Sequence, residues 1–218
     1  LYQNGMYNEA IVILHHLLAA QPDNQDAVAL MARAMLQGHR VAEAQAICSK
    51  ALQEWPGSAD FHLILAQAQA ENGETDEAVA SYRSALELEN DLAEAYRGLG
   101  AILFARQHYA EVIALCSEMI RARPDYHAAH ADLGTALQAC GRMGEAMVAY
   151  EQAIVLNPQN LDARSNWLFC SNYTDGKAPQ VIYEHAVAFS QYASAHASPF
   201  DQWRCANTPT RLRVGLVS

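Results

Sequence analysis

One spacing constrains this chain more than any other feature. Pro22, Pro56, Pro124 and Pro158 fall on a lattice of 34 residues, with Asn90 in the missing slot. Ala10, Ala44, Ala78 and Ala146 fall on a second lattice of the same period, with Val112 in its gap. A third row reads Leu14, Cys48, Tyr82, Cys116 and Tyr150, and a fourth Leu17, Ala51, Ala85, Met119 and Ala153. Four rows in one register, without an insertion, describe a supersecondary unit repeated along the chain. Such a unit cannot bury its apolar stripe alone, and stacking on its neighbours solves that problem.

Within a period the apolar residues recur at helical spacing. The best copy runs from His127 to Pro158 and holds Leu133, Gly134, Leu137, Ala146, Tyr150 and Ala153. Gly134 and Ala146 are small enough for two helices to approach closely, and Leu133, Leu137 and Tyr150 fill the seam. Gly5, Gly73 and Gly141 fall at the turn inside a repeat, where glycine adopts a positive φ cheaply. The prolines end the second helix of each pair, and Asp23, Ser58, Asp91, Asp125 and Asn160 are expected to cap the next first helix. First helices are thus predicted near 25–38, 59–72, 93–106 and 127–140. Second helices are predicted near 41–54, 75–88, 109–122 and 143–156.

The period and the alanine–aromatic–proline order resemble the tetratricopeptide-repeat (TPR) family. The resemblance implies an all-α superhelical solenoid whose first helices line a concave groove. Residues 1–22 are expected to supply a partial repeat. Residues 23–166 are expected to form the array, four full repeats plus the start of a fifth first helix. Residues 167–210 read as linker helices, and 211–218 as one orphan strand.

Position six of the first helices reads Leu30, Ile64, Gly98, Asp132 and Asn166. Position nine reads Arg33, Gln67, Ala101, Thr135 and Phe169. The groove is therefore expected to be apolar toward the N-terminus and polar toward the C-terminus. An extended polypeptide is the expected partner, and Arg33, Gln67, Arg97, Asp132, Thr135 and Asn166 are the candidate binding residues. Position two is acidic (Asp26, Asp60, Glu94 and Asp162, with Ala128), which opposes capture of a terminal carboxylate and suits acids near helix N-termini.

Other chemistries are weakly signalled. His127 and His130 share a helix face, but His130 is expected to pack in the core, and no third metal ligand is evident. Cys48 and Cys116 sit in the core row and read as packing residues. Gly98-Leu99-Gly100 reads as a helix contact, not a phosphate loop. With 24 acidic against 14 basic residues, the charge of −10 argues against nucleic acid as a partner. No apolar run approaches the roughly 18 residues of a membrane span. Five cysteines without a CxxC pair point to reduced thiols and a cytoplasmic setting.

The C-terminal stretch carries Leu168-Phe169, Asn172-Tyr173, Pro179, Ile182-Tyr183 and Glu184-His185, and then Arg211-Leu-Arg-Val-Gly-Leu-Val-Ser218. That order, directly after a repeat array, resembles the TPR-containing O-linked N-acetylglucosamine transferases and the Spindly-like proteins. The resemblance implies a protein O-glycosyltransferase whose array recruits protein substrates. It implies UDP-GlcNAc as sugar donor to the parent protein, with no cofactor held by this segment. It places His185 near the catalytic site and makes 211–218 the first strand of a truncated GT-B region, so the chain is expected to be a fragment, catalytically incomplete by itself. The array departs from the family in one respect, since only Asn166 supplies an asparagine on the groove row. The alternative is a TPR adaptor without enzymatic activity.

The lattice generates a direct test. Ala146→Leu should overpack the helix contact and destabilise the chain by about 1–3 kcal/mol in a denaturant melt. An unchanged midpoint would contradict the packing assignment.

Overall fold

The 34-residue period folds as expected into pairs of helices joined by short turns. The computed structural model describes residues 6–174 and 178–196. Helix α1 spans Tyr7–Ala20, followed by α2 (Gln25–Gln37), α3 (Val41–Glu54), α4 (Ala59–Glu71), α5 (Thr75–Leu88), α6 (Ala93–Ala105), α7 (Tyr109–Ala122), α8 (His127–Ala139) and α9 (Met143–Leu156). Helix α10 (Leu161–Ser171) continues the lattice, and α11 (Pro179–His196) packs on it. Neighbouring helices pack in chain order; among the first helices α2 touches α4, α4 touches α6 and α8 touches α10, while a hydrogen bond from Tyr96 to Asp132 joins α6 to α8. The result is an all-α solenoid. The segment 211–218, read as an orphan strand, lies outside the described residues.

The core is a strip of three consecutive apolar clusters along the array. Ala44, Ala78 and Ala146 are fully buried, as are Cys48, Cys116 and Tyr150 of the neighbouring row. Trp167 of α10 is fully buried and closes the last cluster, where Val181 and Ile182 of α11 join it. Helix α10 runs past Asn166 without a break, so the end drawn for the array at 166 falls inside a helix.

A recurring backbone motif makes the turn within each repeat. Residues 39, 73, 107 and 141 all adopt positive φ, at 58°, 79°, 59° and 74°. The next residue's N–H reaches back to the last helical turn, as in Arg40 to the Met35 carbonyl and Arg142 to the Leu137 carbonyl. This is the Schellman ending of a helix. Glycine fills the position twice, at Gly73 and Gly141, while His39 and Gln107 occupy the left-handed region with side chains. Gly5 lies outside the described residues.

The turns between repeats differ from expectation in one register. The N-cap positions are Asn24, Ser58, Leu92, Tyr126 and Asn160. Asp23, Asp91 and Asp125 therefore sit one residue upstream and do not cap. Only Asn24 and Asn160 accept a backbone N–H, from Ala27 at 3.0 Å and from Ala163 at 2.9 Å. Ser58 sits at the cap, but its hydroxyl instead accepts from Gln25 Nε2. A second device recurs at these turns. His62 Nε2 lies 3.2 Å from the Pro56 carbonyl, His130 Nε2 lies 3.0 Å from that of Pro124, and an Arg164 guanidinium nitrogen donates to that of Pro158 at 3.1 Å. His130 is thus half-buried and tethers a turn, where a core packing role was expected.

The left-handed turn positions yield a stability prediction. His39→Gly and Gln107→Gly remove a side chain from a conformation that costs non-glycine residues roughly 1–2 kcal/mol. Part of that is offset by the greater freedom of glycine in the unfolded chain. Each should raise stability by about 0.5–1 kcal/mol in urea melts, with no change in helical content. A loss of stability would show that these side chains are held by contacts worth more than the strain.

Candidate functional site

The inner face is built from the first helices, and its chemistry changes from one step to the next. Position nine of one first helix lies against position two of the following one. At the first step Arg33 on α2 pairs with Asp60 on α4 at 2.6 Å and reaches Glu94 on α6 at 3.7 Å. At the second step Gln67 on α4 donates to the same Glu94 at 3.4 Å. The acidic row thus does more than sit near helix N-termini: Asp60 and Glu94 brace adjacent helices. Exposed pairs of this kind contribute little each, about 0–1 kcal/mol, but they occupy Arg33 and Gln67.

At the third step the brace is missing, because both positions are alanine, Ala101 and Ala128. A cavity of about 350 Å³ opens there between α6 and α8. Tyr96, Gly100, Phe104, Val112 and Leu115 line it, with Arg97 and Asp132 beside them. Val112 of α7 is part of the lining of this opening. It occupies the slot that is alanine in the other pairs, and α6 and α7 pack less closely than α4 with α5 or α8 with α9. A second cavity, of about 430 Å³, flanks the same pair on the side of the second helices. The ion pair of Arg83 and Glu111 lies in that outer cavity.

At the fourth step Thr135 faces Asp162, and a polar cavity of about 270 Å³ lies between α8 and α10. His127, Asp132, Thr135, Tyr150, Asp162 and Asn166 line it. Thr135 donates its hydroxyl hydrogen to the Ala131 carbonyl at 3.0 Å, and the Tyr150 hydroxyl lies 3.2 Å from Thr135 Oγ1. Asp162 is exposed and takes no partner among the described residues. Ala128 and Asp132 belong to both inner cavities, which makes them one trough across α6, α8 and α10.

Asp132 is the hinge of this trough. Its Oδ2 accepts the Tyr96 hydroxyl at 2.9 Å, and the same hydroxyl lies 3.3 Å from Cys116 Sγ. The residue is open to solvent on its outer side, yet protein surrounds much of its carboxyl group. That burial raises its pKa above the ordinary carboxylate value, against the opposing effects of the Tyr96 hydrogen bond and nearby His127. Burial also pushes the Cys48 and Cys116 thiols up to about 12, in keeping with packing residues.

Four of the six candidate binding residues, Arg97, Asp132, Thr135 and Asn166, therefore come together in the trough, while Arg33 and Gln67 stand apart in the braces. Ile64, expected on the groove, is fully buried in the core and lines nothing, so of the apolar end only Leu30 is exposed. Gly98 does not open the surface either. A Cβ there would lie 2.3 Å from the Tyr82 ring, which fills the space. Tyr96, Ala101, Ala128 and Asp162 complete the trough and were not singled out from sequence. In the sequence rows, Ala101 stands where position nine elsewhere has Arg33, Gln67, Thr135 and Phe169, and Ala128 where position two elsewhere has only acids. His185 lies in the seam of α10 and α11, its ring stacked on Trp167 at 3.8 Å between centroids and 13° between planes. Among the described residues no three His, Cys, Asp or Glu side chains are grouped to hold a metal. No described helix is long and apolar enough to cross a membrane.

Comparison with known proteins agrees with this architecture. A tetratricopeptide-repeat family model matches residues 1–50, 38–103 and 70–137, and a second matches 127–160. The chain belongs to the tetratricopeptide-repeat family. Among solved structures it is similar to MamA from Desulfovibrio magneticus RS-1, at 18% identity and TM-score 0.66, over 81% of this chain and 98% of that one. It is similar to YrrB, described as a TPR protein with an unusual peptide-binding site, at 15% identity and TM-score 0.67, over 84% and 93%. PilF from Pseudomonas aeruginosa gives 20% identity and TM-score 0.64, over 83% and 79%. At these identities the likeness is one of fold. No curated protein matches the sequence significantly.

The state of Asp132 predicts a measurable pH effect. A carboxyl whose pKa is raised in the folded chain binds its proton more tightly there than when unfolded. Its contribution to stability is therefore neutral at low pH, and it becomes unfavourable as pH rises through the window between the ordinary and the raised value. Asp132→Asn should leave Tm at pH 7 equal or higher, and its Tm advantage over the unsubstituted chain should grow as pH rises through that window. A clear fall in Tm at pH 7 would show that the charged form is stabilising.

Proposed function

We propose that this tetratricopeptide-repeat chain is a protein-binding scaffold that takes an extended polypeptide across the trough of α6, α8 and α10. The observation that carries this is the break in bracing at Ala101 and Ala128. Earlier steps of the inner face are tied shut by Arg33, Asp60, Gln67 and Glu94. The third and fourth steps leave a continuous concavity whose polar groups, Asp132 and Asn166, are placed to bond a peptide backbone or side chain. A preformed trough on stacked helices needs little reorganisation on binding, which favours affinity. The charge of −10 supports a protein partner over a nucleic acid. The free thiols at Cys48, Cys116, Cys140 and Cys170 support a cytoplasmic location.

The finer reading is that the bound polypeptide is a substrate delivered to a UDP-sugar-dependent protein O-glycosyltransferase, with His185 near its catalytic site. Its support is the resemblance of residues 168–185 and 211–218 to the O-linked N-acetylglucosamine transferases. An adaptor without enzymatic activity rests on the same trough, fits the repeat family at least as well, and requires nothing further. Incubating the protein with labelled UDP-GlcNAc and acceptor proteins tests the finer reading: transfer above background supports it, and binding without transfer favours the adaptor.

Binding can be tested with peptides selected on the chain by phage display, with Kd measured by fluorescence polarisation. A hydrogen bond contributes about 0.5–1.5 kcal/mol, which is roughly 2- to 12-fold in Kd. Asp132→Ala and Asn166→Ala should each weaken binding by that factor, while Arg33→Ala changes it less than about twofold. Equal sensitivity to Arg33→Ala, or none to the trough variants, would place the ligand elsewhere.

A further inference from the structure

We infer that the α6–α8 cavity is a socket for one bulky apolar side chain of the bound polypeptide, and that the α8–α10 cavity receives a basic side chain two or three residues along it. This rests on the trough reading and adds the class of sequence that the trough selects.

The first cavity has the lining of a side-chain socket. Gly100, Ala101 and Ala128 leave room, and Phe104, Val112 and Leu115 supply apolar wall. The polar side chains in its lining are Tyr96, Arg97 and Asp132, and the Tyr96 hydroxyl is already engaged by Asp132 and Cys116. At about 350 Å³ it lies at the small end of ligand pockets, which run from roughly 300 to 1,000 Å³. That size suits a leucine, methionine or phenylalanine side chain better than a cofactor. Val112 stands in the alanine slot beside this space, and no side-chain brace crosses it.

The second cavity differs in charge. Asp132 and Asp162 line it, and Asp162 has no partner among the described residues. The basic residue Arg97 lines the first cavity and not the second. A cation entering the second cavity meets two carboxylates, one of them partly desolvated, where a charge pair is worth more than in open water. Neighbouring first helices stand roughly 8–10 Å apart, and an extended chain advances roughly 3.3 Å per residue. Two or three residues therefore span from one cavity to the next.

The test is an array of nonapeptides on a Gly/Ser background, probed with the whole chain. The central residue is Leu, Phe or Ala, and the residues two and three positions away on either side are Lys, Ala or Glu. Peptides pairing Leu or Phe with Lys should bind at least about tenfold more tightly than those with Ala or Glu at either place. The double variant Ala101→Gln with Ala128→Glu restores the pairing seen at Gln67 and Glu94 and fills the socket. It should lose the preference for Leu or Phe and keep the preference for Lys, with its helical melt unchanged. Asp132→Asn with Asp162→Asn should do the reverse. Binding to the array that depends on Asn166 but shows neither preference overturns this inference and leaves the trough reading intact. Binding indifferent to all the inner-face variants overturns both.

Discussion

Close approach of the two helices in each pair depends on a side chain no larger than alanine at one slot. Ala44, Ala78 and Ala146 fill it with no exposed surface, and the cores they seal carry the array. Protein interiors are packed tightly enough that one added carbon is felt. Val112 places two more carbons in the slot between α6 and α7. The pair is looser there, and cavities open on both of its sides. The departure from the lattice at Val112 thus coincides with the cavities of the inner and outer faces.

The braces between first helices decide which stretch of that face remains free. Arg33, Asp60, Gln67 and Glu94 form a connected set across α2, α4 and α6. Asp60 and Glu94 share Arg33, Gln67 adds a neutral donor, and a peptide would have to displace these contacts. Past Glu94 the set ends, and the acids that follow, Asp132 and Asp162, face open concavities. Carboxylates without cationic partners are a poor way to stabilise a fold and a common way to recognise a basic ligand. Asp132, its carboxyl raised in pKa by burial, stands where the two inner cavities meet.

The lattice made the helices legible to within one residue, because each row of small or apolar residues repeats a packing constraint. What it could not convey was the direction of individual side chains. Tyr82 and Tyr150 share a row, yet Tyr82 packs on Gly98 of the next repeat and Tyr150 on Gly134 of its own. Ile64 shares a row with Leu30 and Asp132 but is fully buried in the core cluster around α4. The caps were misplaced by one residue because aspartate at 23, 91 and 125 is as plausible a cap as its neighbour until backbone dihedrals are known. The braces join residues 27 apart across two rows, a relation that reading each row separately does not reveal. Gly73 and Gly141 marked the left-handed turn, and the structure repeats it at His39 and Gln107, which the sequence did not single out.

The central claim is that ligand binding belongs to the inner trough of α6, α8 and α10. Backbone amide chemical-shift mapping of the labelled chain, titrated with a selected peptide, addresses it directly. The account predicts the largest shifts at Gly100, Ala101, Ala128, Asp132 and Asn166, with the braced helices α2 and α4 little changed. Shifts concentrated on the second helices α5, α7 and α9, around the cavity holding Arg83 and Glu111, would contradict it.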